Sequence, residues 1–177
     1  SLKMDFKMIY YNSDGNKGSF CGNGARCAVS YANFLYSFNR GISFEFSEEF
    51  YSAIIGDNEI SVRMSDVYKI NCFKDYIFLN TGSPHHVVLV EDIDSIDVKL
   101  KGSEIRYSNI YKDKGTNVDF VQKISNNEFS IRTYERGVED ETYSCGTGAT
   151  AVAIAMHKLK ETSQEKIKIN VKGGQLE

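Results

Sequence analysis

Apolar and polar residues alternate along much of this chain. Phe6, Met8 and Tyr10; Ile42, Phe44 and Phe46; Ile60, Val62 and Met64; Phe129, Ile131 and Thr133; and Ile167, Ile169 and Val171 each occupy every second position. A period of two sets one row of side chains on one face of an extended chain, so each run predicts a half-buried β-strand. Helical spacing occurs over two long stretches. Ala28, Phe34, Leu35 and Phe38 predict one apolar helix face, and Ala149, Val152, Met156 and Leu159 predict another. Each helix follows directly on the same short motif, Cys-Gly-polar-Gly, at positions 21–24 and 145–148. The pattern therefore predicts an α+β protein of two strand-rich lobes with one main helix apiece. An internal duplication would produce it, with the halves meeting in the variable stretch between Val67 and Asp75.

Length and charge narrow the function. A chain of 177 residues with 41% apolar content buries about 70% of its unfolded surface. The formal net charge is −3 and the two signs are interspersed, which leaves no basic stripe for a nucleic acid. No apolar run reaches the length of a membrane span, and the first residues lack a signal-peptide layout. A cytoplasmic protein without membrane or nucleic-acid partners is the expectation. Ser1-Leu2 and Leu176-Glu177 read as vector-derived ends of a trimmed chain. The cysteines Cys21, Cys27, Cys72 and Cys145 form no CxxC pair, which argues for reduced thiols rather than a disulfide framework or a zinc finger.

The chemistry of the repeated motif follows from its place at a helix start. Gly22 and Gly24, like Gly146 and Gly148, permit a tight turn and a close backbone approach. The next N–H groups then lack helical partners and attract anions. A thiol there feels the positive end of the helix dipole, worth about 0.3–1 kcal/mol and ~2 when partly buried, or about one pKa unit downward. Two such thiols at one small pocket repel as thiolates and would share a proton, one serving as base and the other as acid. A thiolate on one face of a carbon and a thiol on the other can remove a proton and return it with inverted stereochemistry. The amides after each cysteine can bind an α-carboxylate and stabilise the charge that builds on it. A zinc reading is weaker, because Cys21 and Cys27 are wrongly spaced and only His85, His86 and His157 could complete a site. Neither motif continues to GxGxxG or GK[ST], so dinucleotide and P-loop readings fail.

The segments "NSDGNKGSFCGNGARC" from Asn12 to Cys27 and "ERGVEDETYSCGTGATA" from Glu135 to Ala151 resemble the two signature segments of diaminopimelate epimerases, a cofactor-free family of cysteine-pair racemases and epimerases. "TGSPHHVV" from Thr81 to Val88 and "GTNVDFV" from Gly115 to Val121 are similar to two further family blocks in the same order. Proline racemases typically carry His where this chain has Asn23 and lack the Glu135-Arg136 pair, which favours diaminopimelate.

The resemblance implies two pseudo-symmetric lobes, each a mixed sheet wrapped around a central helix. Residues 1–66 would form a partial N-terminal lobe and residues 67–177 a nearly complete C-terminal one. It implies an isomerase that interconverts LL- and meso-2,6-diaminopimelate for lysine and cell-wall precursor synthesis, with no pyridoxal phosphate, other cofactor or metal. Cys21 and Cys145 would be the acid/base pair. Asn12, Asn23, Ser83, Asn117, Glu135 and Arg136 would contact substrate, with Arg136 suited to a two-point carboxylate contact. Gly22, Gly146 and Thr147 would supply helix-start donors, and His85 and Glu135 would tune the thiols. A homodimer is compatible with this reading. Taken singly, the residues have plainer readings: Asn12 as a turn residue in "NSDG", His85 as a loop residue after Pro84, Glu135-Arg136 as a surface ion pair. Ser83 stands where the family has Asn, and one extra residue separates Glu135 from Cys145. Family segments before Leu2 and after Glu177 have no counterpart here, which implies an open sheet edge in the first lobe. A proline or hydroxyproline racemase, or an inactive truncated fragment, are the competing readings.

Overall fold

The computed structural model describes residues 4–12, 15–38, 41–112 and 114–177. Ser1 and Leu2, and the Ser13-Asp14 step of "NSDG", lie outside the described residues. The chain divides into two compact units, Ser1–Ser65 and Asp66–Glu177. Both are α+β with a mixed sheet.

The first unit runs β1 (Phe6–Lys7), α1 (Gly22–Tyr36), β2 (Ile42–Phe46), β3 (Glu49–Ile55) and β4 (Ile60–Val62). The strands lie in the order β1-β2-β3-β4, β1 parallel to β2 and the other pairs antiparallel. In β2 the predicted alternation is met residue by residue: Ile42, Phe44 and Phe46 are buried, and Ser43 and Glu45 between them are not. These side chains pack with Phe20, Tyr51 and the α1 residues Ala25 and Val29. Phe20 stacks on Tyr51 with ring centroids 4.2 Å apart.

The apolar face expected for α1 is not the one the helix buries. Its buried residues are Gly22, Ala25, Val29 and Ala32, whereas Phe34 is 81% exposed and Leu35 49%. At 3.6 residues per turn, Phe34 points away from Ala25. Small residues on the buried stripe let the helix lie close to its sheet. Phe38 lies beyond the helix, which ends at Ser37 in the left-handed region with φ 48°.

The second unit runs β5 (Ile70–Cys72), β6 (Ile77–Asn80), β7 (Pro84–Leu89), α2 (Val98–Arg106), β8 (Asn117–Ser125), β9 (Glu128–Glu135), β10 (Asp140–Thr142), α3 (Gly146–Lys158), β11 (Lys168–Val171) and β12 (Gly174–Leu176). The sheet order is β12-β11-β9-β8-β7-β6-β5, with β10 added beside β9. The β7–β8 and β9–β11 pairs are parallel and enclose α2 and α3 respectively as crossovers.

Side chains alternate between two helical layers. Leu79, Val87, Val121, Phe129 and Ile131 pack with Ala151, Val152 and Met156 of α3, each fully buried large residue worth about 1.5–3 kcal/mol. Val118, Phe120 and Tyr134 point the other way and pack with Val98 of α2. The expected α3 face holds for Ala149, Val152 and Met156, while Leu159 caps the helix at 43% exposure. Arg132 ties the segment leading into α2 to β9 and β10: Nε and Nη2 donate to the two Glu141 carboxylate oxygens at 2.8 and 2.9 Å, and Nη1 donates to the carbonyls of Ile93 and Ile96. Among the described residues, no helix is long and apolar enough to cross a membrane.

Candidate active site

In the first unit Cys21 is the N-cap of α1. Its backbone is extended, with φ −112° and ψ 105°, while its carbonyl already accepts the first helical bond from Ala25 N–H at 2.9 Å. The half-buried Sγ accepts from Gly24 N–H at 3.3 Å. A sulfur thus takes the place usually held by a Ser or Asp oxygen. Gly22 is buried and Asn23 half-buried; the Asn23 side-chain oxygen accepts from the Arg26 guanidinium. Asn12 opens a turn: its N–H donates to Asn16 O at 2.9 Å and its carbonyl accepts from Gly15 N–H at 3.0 Å.

In the second unit Cys145 is the N-cap of α3, with nearly the same backbone, φ −121° and ψ 107°. It is 6% exposed. Here the sulfur makes no cap bond and lies 3.3 Å from the Thr147 hydroxyl instead. That hydroxyl opens a buried polar network. Thr147 Oγ1 is 2.9 Å from His85 Nε2 and 2.9 Å from Ser83 Oγ, and Ser83 Oγ is itself 2.9 Å from His85 Nε2. Asn117 Nδ2 donates to Ser83 Oγ at 3.2 Å and to Pro84 O at 3.0 Å, and Asn117 Oδ1 accepts from Arg136 N–H at 2.9 Å. Thr81 Oγ1 donates to Thr147 O at 2.8 Å and fixes the first turn of α3.

Strand register explains the convergence. His85 pairs with Asn117 across the parallel β7–β8 ladder, and Asp119, two residues on, pairs with Thr133 across β8–β9. A period of two puts His85, Asn117, Asp119 and Thr133 on the sheet face that carries α3. Asp119 and His85 are both fully buried. Asp119 Oδ2 is 2.7 Å from His85 Nδ1, and its Oδ1 accepts from Thr133 Oγ1 at 2.8 Å. A Cβ on Gly148 would lie 2.6 Å from Asp119 Oδ1, so only glycine lets the helix start come this close.

Asp119 and Thr133 did not stand out in the sequence. The available signal was the alternation within "GTNVDFV", where Asp119 shares a face with Asn117 between the apolar Val118 and Phe120. Ser83, by contrast, turns its hydroxyl into the network, where it accepts from Asn117 beside His85 and Thr147.

The electrostatics overturn one expectation. Burial, with the Glu135 and Asp119 carboxylates adding to it, pushes the Cys145 thiol well above the ordinary thiol range, although the Thr147 contact opposes the shift. The dipole contribution of about one unit is smaller than the cost of placing a thiolate among buried acids. Cys145 is therefore a thiol near neutral pH. Burial also raises the Glu135 carboxyl. Arg136 is half-buried; its Nη1 donates to Lys114 O at 2.9 Å. It borders a cavity of about 650 Å³ lined with Tyr76, Phe78, Pro84, Tyr111 and Lys114 among others. Gly146 is half-buried beside Cys145, and its carbonyl accepts from Thr150 Oγ1 at 3.0 Å.

A family model described as diaminopimelate epimerase matches residues 77–177, which carry this whole network. The diaminopimelate epimerase of Flavobacterium psychrophilum is 51% identical over 98% of this chain and 68% of that protein. The chain belongs to the diaminopimelate epimerase family. The member from Aquifex aeolicus is 36% identical, over 97% of this chain and 65% of its own length. The family fold extends to solved structures of low identity. A phenazine biosynthesis protein of the PhzF family from Bacillus anthracis superposes with a TM-score of 0.68 at 14% identity, covering 96% of this chain and 70% of that one. A hydroxyproline epimerase from Agrobacterium vitis, solved with trans-4-hydroxy-L-proline, superposes with a TM-score of 0.67 at 14% identity, covering 96% and 61%. The two-unit α+β architecture with mixed sheets is thus that of the diaminopimelate epimerase family and its structural neighbours.

Proposed function

We propose that this protein is an isomerase that interconverts LL- and meso-2,6-diaminopimelate by proton transfer between Cys21 and Cys145, in lysine and cell-wall precursor synthesis. One observation carries the reading. In a chain 51% identical to a diaminopimelate epimerase, each unit presents the cysteine of a Cys-Gly-polar-Gly motif as the N-cap of the helix that the motif opens. Residues 1–66 and 67–177 are read as the two lobes that contribute one cysteine each.

The chemistry balances without an outside reagent. A thiolate takes the α-proton, so a C–H bond breaks as an S–H bond forms. The thiol on the opposite face gives its proton to the carbanion and becomes the thiolate. The product has the inverted configuration, and the protein awaits the reverse step. The raised thiol of Cys145 makes it the proton donor in the resting protein, with Cys21 as the base. The amides of Gly22, Asn23, Gly146 and Thr147 face the α-carboxylate and stabilise the charge it gains as the proton leaves. Asn12, Ser83, Asn117, Glu135 and Arg136 hold the two amino-acid ends of the substrate, and His85 and Glu135 set the proton affinity of the thiols. No pyridoxal phosphate or metal enters this scheme. A cytoplasmic location and a homodimeric assembly belong to the same proposal.

Exchange in D2O tests it. Incubation should place deuterium on the α-carbon of diaminopimelate and leave proline unlabelled. Cys21→Ala and Cys145→Ala should each abolish exchange, while Cys27→Ala and Cys72→Ala, at exposed positions, should retain it. Label in proline alone would favour a proline-type racemase. Label in neither substrate would make the chain an inactive relative, and turnover surviving in either of the first two variants would refute the two-cysteine mechanism.

A further inference from the structure

The buried carboxylate of Asp119 has two neighbours that are not part of the proposed catalytic apparatus, Thr133 and the bare backbone of Gly148, and one that is, His85. We propose that Asp119 is a positioning residue. It holds His85 with Nδ1–H donated to the carboxylate and Nε2 turned toward the Thr147 hydroxyl, so that the proton of Cys145 has a continuous path into the His85–Asp119 pair. This inference rests on the epimerase reading above and deepens it.

The contacts admit a consistent assignment of protons. Asp119 Oδ1 accepts from Thr133 Oγ1 at 2.8 Å and Oδ2 accepts from His85 Nδ1–H at 2.7 Å. With its hydrogen on Nδ1, the neutral ring has an acceptor at Nε2. Asn117 Nδ2 donates to Ser83 Oγ, Ser83 donates to Thr147 Oγ1, and Thr147 donates to His85 Nε2. The Thr147 oxygen then accepts the thiol hydrogen of Cys145 at 3.3 Å. Each buried donor has an acceptor, as such sites require.

Two short proton hops follow from this layout. The Cys145 S–H bond breaks as Thr147 Oγ1 gains that proton, and Thr147 passes its own proton to Nε2. The result is a thiolate at Cys145 and an imidazolium paired with the Asp119 carboxylate. The same hops reversed recharge the thiol. Asp119 touches neither sulfur nor substrate; it sets which nitrogen of His85 faces the helix start and pairs the charge the ring acquires. The titratable groups that face this ring are Asp119 on β8, Glu135 at the end of β9 and Cys145 at the start of α3.

Long-range 1H–15N spectra of the 15N-histidine protein at pH 7.5 test the first part. His85 is assigned by removing the other two histidines with His86→Phe and His157→Gln. The expected state is a neutral ring with hydrogen on Nδ1; hydrogen on Nε2, or on both nitrogens, would overturn the proposal. Diaminopimelate kinetics test the second part. Asp119→Asn should lower kcat about 100-fold, within the range of proton-transfer contributions, with KM within about twofold and the melting curve still cooperative. Thr147→Ser should keep kcat within a few-fold of wild type, whereas Thr147→Val should match Asp119→Asn. In one relay the double variant Asp119→Asn/Thr147→Val should lose no more than either single change; multiplied losses would reduce Asp119 to a packing residue. If the wild-type chain exchanges no α-hydrogen of diaminopimelate, the epimerase reading fails and the His85 tautomer alone decides this one.

Discussion

Acid should destabilise this protein through His86, the neighbour of the site histidine that points to the other face of β7. His86 is 5% exposed, stacked on Tyr76 with centroids 4.0 Å apart, and its Nδ1 is 2.6 Å from the Tyr111 hydroxyl. Burial lowers its pKa from 6.5 to about 4, against a smaller opposing pull from Asp119. The folded ring is thus neutral where the unfolded one is already charged. Between those two values the unfolded state binds the extra proton, so stability is full above the unfolded pKa and falls as pH drops toward the folded one. At about 1.36 kcal/mol per unit the loss integrates to about 3 kcal/mol, a large share of the usual 5–15 kcal/mol of a domain. Urea unfolding followed by circular dichroism from pH 7.5 to 4 measures it, with His86→Phe as the partner variant. The phenyl ring keeps the stack on Tyr76 and cannot titrate. The expected result is a stability difference between the two proteins that changes by about 3 kcal/mol across this window. Parallel pH curves would refute the reasoning, because the wild type would then carry no buried neutral imidazole at this position.

Three further outcomes follow from the same contacts. Gly148→Ala places a methyl 2.6 Å from Asp119 Oδ1 and should cost about 1–3 kcal/mol in a melting experiment while abolishing α-hydrogen exchange; wild-type stability and exchange would mean the helix start has room to spare. Arg136→Lys should raise the KM for diaminopimelate at least about tenfold, because a point-charge ammonium cannot reproduce the planar fork, and an unchanged KM would remove Arg136 from the substrate site. The raised Cys145 thiol is a group that the unfolded chain ionises first, so stability is complete below about pH 8.5 and is lost above it at about 1.4 kcal/mol per pH unit. Urea midpoints at pH 8 and 9.5 should therefore fall further for wild type than for Cys145→Ala, and equal slopes would contradict a buried thiol.

The sequence alone determined the features that depend on neighbours close along the chain. A period of two located β2 and β9, because strand pleating sends alternate residues to opposite faces whatever lies beyond. The two Cys-Gly-polar-Gly turns located the starts of α1 and α3, because glycine and a polar cap act within a single helical turn. The motif blocks also located the family. What the tertiary structure decided depends on partners far apart in sequence. The buried face of α1 runs through Ala25, Val29 and Ala32 because close packing on the sheet favours small residues there, and the larger Phe34 carries no mark in its own sequence of which way it points. Asp119 joins the site only because the β7–β8 and β8–β9 registers bring it beside His85 and Thr133. The upward shift of the Cys145 thiol has the same kind of origin. The helix dipole is local and can be read from a motif, whereas desolvation and the Glu135 and Asp119 charges arise only when β8, β9 and α3 come together in the fold.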